Sequence, residues 1–494
     1  MIVDGTAGRS AAGSERLDPA VIKLAAILVT GVMGVVFDTT IVNVAIGTLS
    51  REMHAPVADT QWVVSGFVLA LGVVVPVSGG AMQRFGAKQT WLFSLALFLA
   101  GSLLCSCAQT IAELVAFRVI QGAAGGLMLP VMSTLMASAA GQGNLGRRMA
   151  LVSLPAVLGP ILGPVVGGLI LSHLDWRWIF WVNVPFCLAG MLLAGRGLAP
   201  TAPGKGARLD VTGLALLCPA LAAVIYGLSE AGSQAGPGAV TVIVSLSAGP
   251  VLLAVYVLHA LRTSRTPVID VRLFASRSFT ASAALLFLSG LVLYGAMLLL
   301  PLYYEQVRGS SPLAAGLLLA PQGLGVLLTR GQAGKLTDRI GARSVVLAGL
   351  ALTLAGTLPY TQAGPRTSEA FLAIALVVRG AGLGGVTIPI MAAAYRGLPP
   401  ARMPHASSAT RIVQQVGGSF GAAVFAMIVQ AQLAAQAARG LAGQAVAFDN
   451  AFWWSAGLTA AAAAAALLLP GAIRSARPDG DDRDVREREA PRGR

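Results

Sequence analysis

The chain has 494 residues, of which 55% are hydrophobic and 11% are charged, and its formal net charge is +14. A soluble globular protein carries about 25% charged residues, so this composition excludes that class. Apolar stretches recur along the chain, and each is long enough, at about 20 residues, to cross the hydrocarbon core of a bilayer. The sequence therefore predicts an all-α polytopic membrane protein.

Fourteen apolar stretches are expected to span the membrane. Their predicted bounds, in chain order, are 21–46, 60–80, 91–108, 111–139, 149–172, 178–198, 210–229, 238–260, 277–304, 312–332, 343–362, 368–394, 405–434 and 449–470. The two ends of the chain outside these spans are polar and have no apolar face, so we predict that both are disordered tails.

Lysines and arginines lie mainly in alternate short loops. The loops that follow even-numbered spans carry seventeen of them, whereas the loops that follow odd-numbered spans carry five. By the positive-inside rule, this bias places the even loops and both termini in the cytoplasm. A nucleic-acid-binding surface needs a clustered basic face, which this pattern lacks. The net charge therefore indicates topology, and no nucleic-acid partner is expected.

Span 1 contains an acid within apolar sequence, Asp38 in the segment FDTTIVNVAI, which we place near the far end of the span. A charge at the bilayer centre costs at least about 2.5 kcal/mol, so such a residue pairs, faces water or carries protons. The alternative is an ordinary acid at the outer interface. Asn43 follows further along the same helix and is a candidate for a substrate cavity.

Span 4 contains a basic residue at membrane depth, Arg118 in the segment FRVIQGAAGGLMLP. A buried guanidinium needs an anionic or carbonyl partner, and Asp38 is the nearest anionic candidate. The alternative is a purely structural arginine that bonds backbone carbonyls. Gln121 lies on the same segment and is a second candidate for the cavity.

Span 5 carries a glycine at every fourth position, at Gly159, Gly163 and Gly167, with Pro160 and Pro164 in a second stripe beside them. On a helix these glycines share one face. Small residues at this spacing let two membrane helices approach closely. The pattern therefore predicts a close helix–helix contact, and a generic packing face is the alternative to a functional one.

The second half of the chain repeats the first. Gly86 and Gly341 lie in similar segments 255 residues apart, and Pro130 and Pro389 lie in similar segments 259 residues apart. Spans 9–14 therefore repeat spans 1–6, and spans 7 and 8 form an inserted pair, in a 6 + 2 + 6 arrangement. The predicted units are an N-terminal tail (1–19), a six-helix bundle (20–198), linkers with helices 7 and 8 (199–276), a second six-helix bundle (277–470) and a C-terminal tail (471–494).

The end of span 9, LPLYYEQVRG, places Tyr304 and Glu305 near the predicted outer mouth. Glu305 is a candidate to recognise a cationic group, and Tyr304 a candidate to line the cavity. Membership of an interfacial aromatic belt is the alternative for the tyrosine.

Several of these segments resemble one family. GPILGPVVGG at 159–168 resembles the span-5 signature of exporters of the major facilitator superfamily, and WRWIFWVNVP at 176–185 resembles the start of span 6 in its fourteen-span drug:proton antiporter branch. The resemblance implies the major facilitator fold, proton coupling through Asp38 and Arg118, and a span-5 antiporter motif. It also implies a cytoplasmic gate motif at Gly79, Arg84, Gly86, Asp338, Arg339 and Gly341. Gln83 stands where the family pattern has an aspartate.

The resulting prediction is a proton-coupled exporter of lipophilic drugs or antibiotics that works by alternating access. Its partners would be a small lipophilic substrate, protons and membrane lipids, and its energy source the proton gradient, with no other cofactor and with a monomer expected. A membrane-embedded enzyme is disfavoured because the four histidines are well separated and form no catalytic cluster. The absence of a P-loop motif argues against an ATP-driven pump. No cysteine or histidine spacing indicates a metal site.

Two alternatives stay open: an exporter of a specific endogenous metabolite or lipid, and a proton symporter of the same fold. Of the 35 basic residues only four are lysine, which is typical of a GC-rich bacterial genome. We therefore expect a bacterial inner-membrane protein with many spans.

Overall fold

A computed structural model describes residues 19–55, 57–139, 163, 166–199, 210–231, 238–263, 267–399, 402–436 and 440–469. Every regular element in these residues is helical. The helices are α1 Pro19–Glu52, α2 Val57–Phe85, α3 Ala87–Cys107, α4 Ile111–Ala139, α5 Trp178–Trp181, α6 Asn183–Gly197, α7 Val211–Ala231, α8 Val240–Arg262, α9 Arg277–Leu302, α10 Pro312–Leu318, α11 Ala320–Ile340, α12 Ala342–Thr357, α13 Glu369–Gly384, α14 Thr387–Tyr395, α15 Met403–Gln436 and α16 Gly440–Ala466. A π-helix, Tyr303–Val307, continues α9, and short 3₁₀ helices occupy Val271–Ala275 and Leu358–Gln362.

Eleven helices in the described residues are long and apolar enough to cross a membrane, and each coincides with a predicted span. Helices are expected because a backbone in hydrocarbon must satisfy its own hydrogen bonds. The predicted span 149–172 lies mostly outside the described residues. The predicted spans 312–332 and 449–470 are helical where they are described, but neither is among the eleven. The count of fourteen remains a prediction.

The helices pack in two groups with a pair beside them. In the first group α1 packs on α6, α2 and α4, and α3 packs on α4 and α6. In the second group α9 packs on α15 and α16, and α12 packs on α13 and α16. Helix α7 contacts both groups through α2 and α15, and Trp62 stacks on Tyr226 of α7 with ring centroids 5.8 Å apart. Helix α8 packs chiefly on α7.

Glycines bring the helices of each group to backbone contact. A Cβ added at any of four glycines in α4 or α13 would overlap the backbone of the helix that it faces. The pairs are Gly122 with Phe67, Gly126 with Leu71, Gly380 with Gln322 and Gly384 with Val326. The glycines of the two groups are 258 residues apart and their partners are 255 residues apart. The same close contact is therefore built twice.

A glycine turn also recurs at the expected spacing. Gly86 precedes α3 with φ 86° and ψ 155°, and Gly341 precedes α12 with φ 87° and ψ 157°. This backbone region is open to glycine and strained for other residues. The 255-residue spacing seen in the sequence therefore corresponds to one conformation that occurs in both halves.

Candidate functional site

Asp38 lies four residues before the end of the apolar span Pro19–Val42, and the helix α1 continues beyond that span to Glu52. It is the twentieth of the 34 residues of α1. Its side chain is completely buried. Asp38 is therefore shielded from solvent by the surrounding helices.

Arg118 of α4 forms an ion pair with Asp38. Its Nη1 donates to Asp38 Oδ2, and both side chains are buried from solvent. The Nε atom donates to the Val63 carbonyl at 2.9 Å, and the guanidinium lies 4.1 Å from the centroid of the Phe67 ring. The expected acid–arginine pair is present, and a carbonyl partner is used as well.

Two amide side chains complete the shell of Asp38. Gln121 Nε2 and Asn183 Nδ2 donate to Asp38 Oδ1 at 3.1 and 3.0 Å. Both amides also donate to Ser102 Oγ, at 3.2 and 3.0 Å, and Arg118 Nη1 donates to Gln121 Oε1 at 2.8 Å. We call these five residues the Asp38 cluster. It ties together α1, α3, α4 and α6 around one carboxylate.

Sequence reasoning missed Ser102 and Asn183. Both are completely buried, and Ser102 Oγ donates onward to the Phe180 carbonyl at 2.9 Å. Asn183 lies within the WRWIFWVNVP segment, which was the one available signal. Within the described residues, Asn183 Oδ1 is a buried acceptor without a donor. The cluster can therefore accept one more hydrogen bond, at Asn183 Oδ1.

The described part of the span-5 glycine stripe packs directly on the helix that carries Asp38. A Cβ added at Gly163 would overlap the side chain of Thr40, and one added at Gly167 would lie 3.2 Å from Ile41 Cγ2. Thr40 and Ile41 follow Asp38 within one helical turn. The remaining predicted residues of the motif, Gly159, Pro160 and Pro164, lie outside the described residues.

The other cavity candidates do not join the Asp38 cluster. Asn43 lies on α1, but its side chain is outside the described part of the structure. Tyr304 is buried in the second group, where its hydroxyl lies 2.9 Å from the Tyr360 hydroxyl. Glu305 is partly exposed in the π-helix. Only Gln121 among these candidates contacts Asp38 in the described residues.

The predicted gate residues have different environments. Gly79 is buried, and a Cβ added there would lie 3.4 Å from Ser408 Oγ of α15. Arg84, Asp338 and Arg339 are exposed at the ends of α2 and α11. Gly86 and Gly341 occupy the two equivalent turns described above.

Helix α15 is hydrogen-bonded to the first group at the end of the molecule where α2 terminates. Gln83 Nε2 lies 2.6 Å from His405 Nε2, and His405 Nδ1 lies 3.1 Å from the Val268 carbonyl. These contacts fit one imidazole tautomer, in which Nδ1 donates to Val268 and Nε2 accepts from Gln83. Ser78 and Ser408 are also 3.0 Å apart through their hydroxyl oxygens. An amide–imidazole bond is thus formed by Gln83, the residue that stands where the family pattern has an aspartate.

The architecture defines a class of protein. Two helical groups with the same internal contacts, a span-rich chain and a buried acid–arginine cluster are features of secondary transporters built from parallel repeats. Within the described residues, no group of three His, Cys, Asp or Glu side chains could hold a metal ion.

The chain belongs to the Major Facilitator Superfamily, whose family model matches residues 28–422. The Multidrug resistance protein B homolog of Mycobacterium tuberculosis is 35% identical over 432 residues, covering 86% of this chain and 80% of that protein. The Methylenomycin A resistance protein of Streptomyces coelicolor is 32% identical over 427 residues, covering 85% and 87% of the two chains. A solved proton:xylose symporter shares the fold, with a TM-score of 0.61 at 14% identity over 88% of this chain and 94% of its own. The protein is a multi-pass membrane transporter and not an enzyme.

Proposed function

We propose that the protein is a proton-coupled exporter, a drug:H⁺ antiporter that moves lipophilic drugs or antibiotics by alternating access. The observation that carries the proposal is the fully buried Asp38 cluster, in which side chains of α4 and α6 bond the carboxylate directly and Ser102 of α3 bonds their amides. The resistance names of the relatives support a drug as cargo and export as the direction of transport.

The Asp38 cluster offers a physical route from proton uptake to helix movement. Protonation of Asp38 removes the negative charge that balances Arg118, so the ion pair between α1 and α4 weakens. The new O–H group needs an acceptor, and rotation of the Asn183 amide presents Oδ1, which has no donor in the described residues. Release of the proton restores the pair. Each proton would thus switch the contact between α1, α4 and α6.

Two further contacts support coupling of this switch to the whole transporter. The span-5 glycines pack on α1 within one turn of Asp38, so a shift of α1 must move span 5 as well. At the cytoplasmic end, the bond between Gln83 and His405 closes the two groups against each other. In the proposed cycle this contact opens when the cargo site faces the cytoplasm.

The proposed arrangement in the membrane is fourteen spans as 6 + 2 + 6, with both termini in the cytoplasm of a bacterial inner membrane. The internal repeat and the separate pair α7 and α8 support it. A small lipophilic substrate and protons would be the transported species, the proton gradient the energy source, and a monomer the working unit.

The test is proton movement in proteoliposomes with an acid interior. A panel of lipophilic drugs is added outside, and an internal pH dye is followed. We expect drug-dependent proton efflux from the wild type and none from Asp38→Asn, which keeps the shape of the side chain without its titration. Asp175→Asn is the matched control, because Asp175 is a half-exposed acid in a surface pair with Arg177. Normal exchange by a folded Asp38→Asn variant would overturn the assignment of Asp38.

A further inference from the structure

The second half contains a buried arginine, Arg379, at the place that Gln121 occupies in the first half. Gly122 follows Gln121 and Gly380 follows Arg379, and each of these glycines faces a backbone carbonyl of the neighbouring helix, that of Phe67 or of Gln322. Pairing Arg379 with Arg118, 261 residues earlier, would not fit the register of these glycines, which are 258 residues apart. The helix contacts therefore align Arg379 with Gln121.

The hydrogen bonds of the two side chains agree with this alignment. Gln121 Nε2 donates to Ser102 Oγ of α3 at 3.2 Å, and Arg379 Nε donates to Thr357 Oγ1 of α12 at 3.3 Å. Ser102 and Thr357 are 255 residues apart, the same spacing as the two glycine turns. The second half thus keeps the hydroxyl partner and replaces a neutral amide by a permanent cation.

The carboxylate of Asp38 has no counterpart in α9, the helix of the second half that corresponds to α1. Gln121 faces Asp38 of α1, whereas the repeat-equivalent helix α9 contains no Asp or Glu. Arg379 Nη1 donates to Gln322 Oε1 at 2.6 Å, and Nη2 is buried without a hydrogen-bond partner in the described residues. No carboxylate of the described chain lies within ion-pair distance of this guanidinium.

Burial of a guanidinium without an anion is unfavourable, and arginine does not escape the cost by losing its proton. Arg379 is 2% exposed, so water at the protein surface does not solvate it. Arg118, which is buried to the same degree, has the carboxylate of Asp38. The second group therefore contains a buried positive charge that no carboxylate of the described residues neutralises.

We infer that Arg379, with Gln322 and Thr357, forms a binding site for an anionic group of the cargo, a carboxylate, sulfonate or phosphate. The planar fork of an arginine matches the oxygen pair of such groups. Tyr360, three residues after Thr357, is buried and its hydroxyl meets that of Tyr304, which places aromatic surface next to the site for a lipophilic body. The inference rests on the proposed export function and narrows its cargo to lipophilic anions.

Access to this site requires the second group to open. The helix that carries Gln322 is interrupted at Leu319, between α10 and α11, three residues before Gln322. Discontinuous helices near the membrane midplane form substrate sites in other transporters with repeats. A bend at Leu319 would move Gln322 away from Arg379 and admit the anion.

Equilibrium binding to the detergent-purified full chain tests the inference. The probes are three anthracenes of matched size that carry a carboxylate, a methyl ester or an aminomethyl group. We expect the wild type to bind the carboxylate at least about tenfold more tightly than the aminomethyl compound, which is about 1.4 kcal/mol. Equal affinities for the three probes in the wild type would overturn the inference without any variant.

Three variants locate the preference. Arg379→Gln recreates the side chain found at the equivalent place of the first half and should abolish the preference, whereas Arg379→Lys should keep it at lower affinity. Arg308→Gln is the matched control, because it removes the same charge from the same half at a contact with Glu369. A preference that survives in folded Arg379→Gln would refute the site.

Binding is measured without a proton gradient, so its result is independent of antiport. If the protein exchanges drugs for protons but binds the three probes equally, the proposed function stands and this inference is refuted. If the protein prefers the carboxylate probe through Arg379 but shows no drug–proton exchange, the anion site stands and the proposed antiport is refuted.

Discussion

Removal of Arg118 should destabilise the protein far more than removal of a surface arginine in a similar pair. In Arg118→Met the Asp38 carboxylate stays buried and keeps only the amide donors of Gln121 and Asn183. Breaking a buried ion pair from one side costs about 3–5 kcal/mol, because an uncompensated charge remains in the interior. The pair of Arg177 and Asp175 is 3.4 Å long with side chains 42% and 51% exposed, so Arg177→Met should cost at most about 1 kcal/mol.

The assay is the free energy of unfolding in mixed detergent micelles, followed by tryptophan fluorescence. The double variant Asp38→Asn/Arg118→Met removes both charges, so its loss of stability should be smaller than the sum of the two single losses by more than about 1 kcal/mol. Equal losses for Arg118→Met and Arg177→Met, or a double loss equal to the sum, would refute the reasoning that the buried pair is a coupled unit.

Two further changes test the helix contacts around the site. Gly163→Ala should lower the transport rate severalfold, because the added Cβ would overlap Thr40 on the helix of Asp38. The control Gly195→Ala should transport normally, because no atom lies within 4 Å of its added Cβ. Equal rates for the two variants would show that the contact with Thr40 is not needed. Gln83→Leu removes the hydrogen-bond donor of His405 Nε2, so backbone amides at the start of α15 should exchange with solvent hydrogen faster than in the wild type. The backbone amides of α16 serve as the internal reference. Unchanged exchange at α15 would mean that this bond does not hold the two groups together.

Asp38 and Arg118 can be recognised from the sequence because of one physical property. An ionisable side chain within an apolar span is costly, so Asp38 and Arg118 stand out against their surroundings without any structural information. The structure places them in contact, and Gln121 with them. Their roles in proton coupling remain predictions.

Ser102 and Asn183 carried no such signal. Small polar residues are tolerated in membrane helices at little cost, so their presence does not mark a site. They matter because α6 presents Asn183 to the Asp38 carboxylate and α3 presents Ser102 to the amides that bond it. Both contacts depend on the rotation and depth of the two helices. The same reason explains why Tyr304 and Glu305, chosen for their position near a span end, lie apart from Asp38.

By itself the sequence determined the membrane class, the approximate positions of the helices and the repeat of about 255 residues. These follow from local composition, since a backbone in hydrocarbon must form helices and since glycine is needed at the turns of Gly86 and Gly341. Only the tertiary structure decided which polar groups meet. The contact between Gln83 and His405 joins residues 322 positions apart, and the alignment of Arg379 with Gln121 rather than Arg118 depends on helix packing. Such pairings are set by how all the helices pack together, which no local stretch of sequence encodes.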